Sequence, residues 1–181
     1  MPTKPYLSQP DLKRLLETPA SAKEKAMLAC YFGGGLKVHE LRGLEIKDLR
    51  LQDPHPSMLL PGHSGGFVQR AVPDTLKQTL EAYLAQERPG RWVFESGYLE
   101  PYTGRGIEKV FERMGRRAGL SVKVTPTLIR NTFIIKLIQY DSAKECICQM
   151  AGLRSPKALI PYYESCLITS IRPRNPLEEL G

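Results

Sequence analysis

Apolar residues recur along most of the chain at the three- and four-residue intervals of an amphipathic helix. Ser8 followed by Asp11 forms a capping arrangement, with Leu12, Leu15 and Leu16 as the stripe to be buried. Ser21 and Glu24 repeat it ahead of Ala26, Met27, Cys30 and Tyr31. The run from Phe32 through three glycines to Leu36 ends that helix, since each glycine inside a helix costs about 1 kcal/mol relative to alanine. A short helix is predicted over 38–44, then a turn through 45–53.

The periodicity then switches. Two short extended runs, 57–62 and 67–73, flank His63-Ser64-Gly65-Gly66 and predict a β-hairpin or a slightly longer β-turn. Asp74 is placed to cap the next helix, whose Leu76, Leu80, Tyr83 and Leu84 share a face. Over 104–120, Ile107, Val110, Phe111, Met114 and Ala118 point inward and Lys109, Arg113, Arg116 and Arg117 form the opposite face. That basic face fits a solvated surface as well as a polyanion-facing one. Helices are predicted over 127–140 and 143–151, and another from Ser155-Pro156 that Pro161 interrupts. The class is mainly α with a small antiparallel β-sheet (α+β), in one domain spanning 1–181.

Composition narrows the setting. A 181-residue chain with 41% hydrophobic and 25% charged residues can bury a real core. There is no apolar run of the roughly 18 residues that a membrane span needs, and the opening MPTKPYLSQPDL has no continuous apolar segment. A cytoplasmic protein is expected. Lys plus Arg number 26 against 19 Asp plus Glu, a net charge of +7 that favours polyanions through phosphate contacts. Cys146 and Cys148 are too close for the usual zinc spacing, and His63 is the last histidine, so the four cysteines are expected to be buried structural thiols.

Four segments carry a resemblance: YFGGGLKVHELRGLEIKDL, GHSGGFVQRAVP, TPTLIRNTF and MAGLRSPKALIPYYE, in that order. They resemble the boxes of the tyrosine recombinase (phage integrase) family. In that family a Thr-Gly-Leu-Arg turn precedes a Ser-Glu-Leu helix, and a lysine-bearing hairpin ends in Val-Pro. A His-x-x-Arg-His box and a Leu-Gly-His…Tyr segment follow. Arg130, Leu153 and Tyr162 stand 23 and 9 positions apart, as the family's boxes do. The match covers roughly 7–165, leaving 166–181 as a C-terminal tail, and implies the family's catalytic-domain fold.

The resemblance implies a chemistry. A tyrosine oxygen attacks a DNA phosphodiester, two arginines hold the non-bridging oxygens, a lysine protonates the leaving oxygen, and histidines assist. No metal or other cofactor takes part. The nucleophile's position falls on Tyr162, with Tyr163 beside it; the second arginine is Arg130, and the first becomes Lys37, which keeps the charge without the planar two-point grip. The hairpin turn offers His63 in place of the lysine, and the histidine positions hold Thr127, Asn131 and Leu153. Lys37, Arg70, Arg116, Arg130, Arg154 and Lys157 are the expected DNA-facing residues. The expectation is a degenerate site in a protein that binds duplex DNA with little strand transfer, in an accessory or regulatory role. The alternatives are an active minimal recombinase cleaving through Tyr162 and a protein-interaction module without DNA binding. Only about six residues precede the first helix, so the N-terminal core-binding domain usual in the family is not expected, and a partner recombinase or self-association through the tail would then assist.

Overall fold

A computed structural model describes residues 4–62 and 66–170; His63 and the tail 171–181 lie outside them. Eight α-helices and three strands are seen among the described residues: α1 (Gln9–Leu16), α2 (Ala22–Phe32), α3 (Val38–Arg42), β1 (Leu49–Arg50), β2 (Ser57–Pro61), β3 (Phe67–Ala71), α4 (Asp74–Glu87), α5 (Gly104–Arg117), α6 (Pro126–Gln139), α7 (Lys144–Ala151) and α8 (Ile160–Ser170). Short 3-10 turns precede β1 and α8.

The caps follow from side-chain oxygens that reach back to otherwise unpaired first-turn N–H groups. Ser8 accepts from the Asp11 amide and Ser21 from that of Glu24. Thr103 accepts from Gly106 at 3.0 Å, and Thr125 from Leu128 at 3.1 Å. Two expectations shift here. Pro73 rather than Asp74 occupies the N-cap of α4, and Leu16 is 45% exposed because α1 buries only Leu12 and Leu15. Pro161 does not interrupt a helix: it sits in the first turn of α8, where its missing N–H would have had no intrahelical partner.

The strands form an antiparallel sheet in the order β1-β2-β3, with Leu49 opposite Met58, and Ser57 opposite Ala71. The two-residue β1 is an addition to the expected hairpin. Met58 and Leu60 of β2 are fully buried, whereas the one buried side chain of β3 is Arg70, opposite Met58.

Two apolar clusters make the core. The larger gathers α1, α2, α4 and α5, with the Tyr31 and Phe111 rings edge to face at 5.1 Å. The smaller gathers α7, α8 and the second half of α6. Helix α6 is apolar nearly all round, as a helix buried on every side must be. It serves both clusters: Leu128 and Ile129 belong to the first, Phe133, Ile134 and Ile135 to the second. Arg130 lies at the seam. The thiols divide: Cys30 and Cys148 are buried, but Cys146 is exposed because α7 turns that face outward, and Cys166 is half-buried.

After α2, Gly35 adopts φ +59, and a Cβ there would meet the Phe133 ring at 2.7 Å. Gly35→Ala should therefore lower stability by about 1–3 kcal/mol, from backbone strain plus overpacking. Gly97→Ala, where an added Cβ meets nothing within 4 Å, should stay within about 0.5 kcal/mol. Denaturant midpoints of the two variants check the contrast.

Candidate functional site

The glycine turn after α2, the start of α3, β3, α6 and the end of α7 converge on one carboxylate. Glu40 is 3% exposed and takes a two-point grip from Arg70, whose Nη1 and Nη2 donate at 3.1 and 3.0 Å. The Lys37 backbone N–H donates to the same carboxylate at 2.8 Å, and the Lys37 ammonium stands 4.0 Å away. Burial pushes the Glu40 pKa up, but the Arg70 hydrogen bonds and charge, with the Lys37 N–H, outweigh it and hold the carboxyl below its ordinary 4.5.

Above that pair lies a ledge of main-chain carbonyls. Helix α7 ends at Gly152 in the left-handed conformation, φ +58, which leaves the last carbonyls facing the site. A side chain at Gly152 would collide with the Arg70 guanidinium. Arg130 Nη2 donates to the Ala151 carbonyl at 2.6 Å, and Lys37 Nζ to the Gly152 carbonyl at 3.1 Å. Arg130 Nε donates to the Gly35 carbonyl at 3.0 Å, so one guanidinium ties the turn after α2 to the end of α7.

The balance of charge is uneven. Burial lowers the Lys37 pKa, Glu40 opposes it, and Arg130, Arg70 and Arg154 add to the lowering. Burial also lowers that of Arg130, while Tyr162 and Glu40 act the other way. Lys37 thus senses three arginines and one carboxylate. Such a site gains from an incoming anion, and a phosphate offers oxygens to several N–H donors together.

Tyr162, in the first turn of α8, stands against Arg130 and supports its charge. Its side chain is 5% exposed, and its hydroxyl donates to Asn131 Oδ1 at 3.3 Å. Tyr163 points elsewhere, with the Lys144 ammonium 5.5 Å from its ring centre.

The expected site residues therefore separate into groups. Lys37, Arg130 and Tyr162 come together, with exposed Arg154 near enough to influence Lys37. Lys157 is exposed beside α8, and Arg116 lies apart on exposed α5 surface. Arg70 needs correction: it is 5% exposed and turned onto Glu40, because its β3 position faces the core, so it supports the site from below and does not form the surface. Thr127 is exposed and Leu153 half-buried. His63 lies outside the described residues. Glu40 was not singled out by sequence reasoning, although its place three residues after Lys37, at the start of a short helix, is a capping pattern. The carbonyl ledge has no side-chain signature beyond the glycine that ends α7.

The family model for the phage integrase family matches residues 5–166. Tyrosine recombinase XerD of Oceanobacillus iheyensis is 29% identical over 160 residues, covering 81% of this chain and 52% of that protein. Tyrosine recombinase XerC of Lacticaseibacillus casei is 25% identical over 147 residues, covering 75% and 48%. The chain thus spans about half the length of these relatives. The fold is similar to that of the XerA recombinase crystal structure, with TM-score 0.78 and 24% identity over 96% of this chain and 65% of that one. It is also similar to the XerH site-specific recombinase bound to palindromic difH substrate, a post-cleavage complex, with TM-score 0.77 and 19% identity over 90% of this chain and 50% of that one.

Glu40 gives a pH test. A carboxyl held below 4.5 in the fold contributes stability that is complete above the unfolded value and is lost as pH falls through the folded one. Melting temperature should drop on acidification below about pH 4.5, and Glu40→Gln should flatten part of that drop. Glu40→Ala leaves Arg70 buried without its partner and should destabilise by about 3–5 kcal/mol at neutral pH, read from denaturant unfolding.

Proposed function

The chain belongs to the phage integrase family, and we propose that it binds duplex DNA at the Lys37–Arg130 site while cleaving it poorly or not at all. The observation that carries this reading is the gathering of Arg70 and Lys37 on the Glu40 carboxylate, with Arg130 and Arg154 close enough to act on Lys37. Lys37 and Arg130 are anchored on neighbouring carbonyls, which orients them before a phosphate arrives and limits the ordering that binding requires. Exposed Arg154 and Lys157 add positive charge beside the site, and Arg116 offers a separate contact on α5. The XerH relative is a site-specific recombinase bound to its difH substrate, which supports DNA as the polyanion.

The weak step in this reading is proton transfer. Lys37 supplies charge without the two-point grip of an arginine. Thr127, Asn131 and Leu153 occupy the family's histidine positions, and none of them titrates near neutral pH. A missing oriented donor costs about 10²–10³ in rate and a missing general acid about 10²–10⁴. These factors do not simply multiply, yet together they leave phosphate binding as the better-supported activity. An accessory or regulatory role in DNA recombination follows.

Gel-shift titrations at several salt concentrations test the binding. Affinity should fall linearly on a log–log plot of salt, with Arg130→Ala weakening it and reducing the slope by about 1. Affinity that is insensitive to salt would sink the reading. A nicked suicide substrate tests the chemistry: a covalent DNA adduct lost in Tyr162→Phe and kept in Tyr163→Phe would establish an active recombinase instead.

A further inference from the structure

The segment ahead of α1 brings a cation to Tyr162 from the far end of the sequence. Its backbone is held at three points. The Lys4 N–H donates to Ser165 Oγ at 2.7 Å, the Pro5 carbonyl accepts from Asn131 Nδ2 at 3.1 Å, and the Leu7 N–H donates to Thr132 Oγ1 at 2.9 Å. Two anchors belong to α6, which carries Arg130, and one to α8, which carries Tyr162. Pro5 disfavours helical backbone at Lys4, and in an extended run side chains two positions apart share a face. Tyr6 packs on the smaller core cluster, of which Tyr162 is a member, and the Lys4 ammonium stands 5.9 Å from the Tyr162 ring centre.

That ammonium is loosely held. The face of an aromatic ring attracts a cation out to about 6 Å, so this contact lies at its outer edge. No carboxylate among the described residues pairs with Lys4. A lysine carries its charge on a flexible stem and can exchange the ring for a better acceptor. Tyr162 therefore lies between two cations. Arg130 meets it from α6 through a hydrogen bond and through charge, and Lys4 lies over its ring. The close acceptors of Arg130 are the Gly35 and Ala151 carbonyls, so it too lacks a carboxylate of its own at hydrogen-bond distance. Two such cations on one side chain repel each other and gain from an anion that accepts from both.

We propose that Lys4 is a phosphate contact, and that it holds, together with Arg130, a single phosphate beside Tyr162. This contact deepens the proposed DNA binding and rests on it for the source of the phosphate. It adds a residue from ahead of α1 to a site otherwise built from residues 35–162. Lys4 contributes charge and position, and no proton moves to or from it.

Lys4→Gln keeps the N–H that donates to Ser165 and removes only the charge. In gel shifts of the full chain on duplex DNA it should weaken binding about fivefold and lower the salt slope by about 1, and Lys4→Arg should restore both. In an Arg130→Ala background the same change should cost less than about twofold, because two residues on one phosphate do not act additively. Lys13→Gln, on exposed α1 surface, measures the loss of one positive charge elsewhere and should also stay below about twofold. A second measurement replaces DNA with inorganic phosphate. Trace acetylation of Lys4 and Lys13 by acetic anhydride is followed by peptide mass spectrometry, with sodium chloride at matched ionic strength as the reference. Titrated phosphate should slow Lys4 saturably, by about threefold or more, and leave Lys13 unmoved. An unchanged Lys4 rate overturns the proposal. So does a wild-type gel shift that Lys4→Gln leaves alone, or weakens by the same factor with Arg130→Ala. A chain that gives no gel shift at all fails the DNA reading instead, and protection by phosphate then decides Lys4 by itself.

Discussion

Glu40 is the constraint on which the site rests. One buried carboxylate gathers Arg70 from β3 and the backbone and ammonium of Lys37 from the start of α3. The sheet, the glycine turn and the end of α7 are thereby brought to one place. A buried charge is costly to dehydrate and is retained only with partners that satisfy it. Here the partners exceed what one carboxylate can neutralise. Structural pairing and anion attraction are two aspects of one arrangement.

Arg130 performs the complementary task. Helix α6 serves both apolar clusters, and Arg130 sits between the residues that fill each. Its hydrogen bonds to Gly35 and Ala151 tie the turn after α2 to the end of α7. A guanidinium held by two carbonyls is ordered in advance, and the same side chain braces the fold and, under the proposed function, meets a phosphate.

Much of this was legible in the sequence. The serine and threonine caps, the three-glycine stop, the hairpin and the stripe of α5 follow from local rules, and the resemblance to the recombinase boxes implied that Arg130 and Tyr162 meet. The burial of Arg70 was not legible, because an arginine in a short strand of mixed character carries no mark of which face it takes; only the register opposite Met58 decides it. Leu16 and Pro161 misled for a related reason. Periodicity tells which residues share a helix face, but not where a neighbouring element stops covering it, and a proline reads as a breaker unless the helix begins there. The hydrogen bonds of the Pro5 carbonyl and the Leu7 N–H to Asn131 and Thr132 of α6 lie farthest from the sequence, since they join residues more than a hundred positions apart through main-chain groups.

The ledge at the end of α7 has a consequence for how such a site changes over time. Its acceptors are the carbonyls of Ala151 and Gly152, and every residue type contributes the same carbonyl to the chain. Substitution can replace the cation that docks there, while the oxygen that receives it persists. The placement of a cation at this site is therefore set as much by backbone geometry as by the side chain that carries the charge.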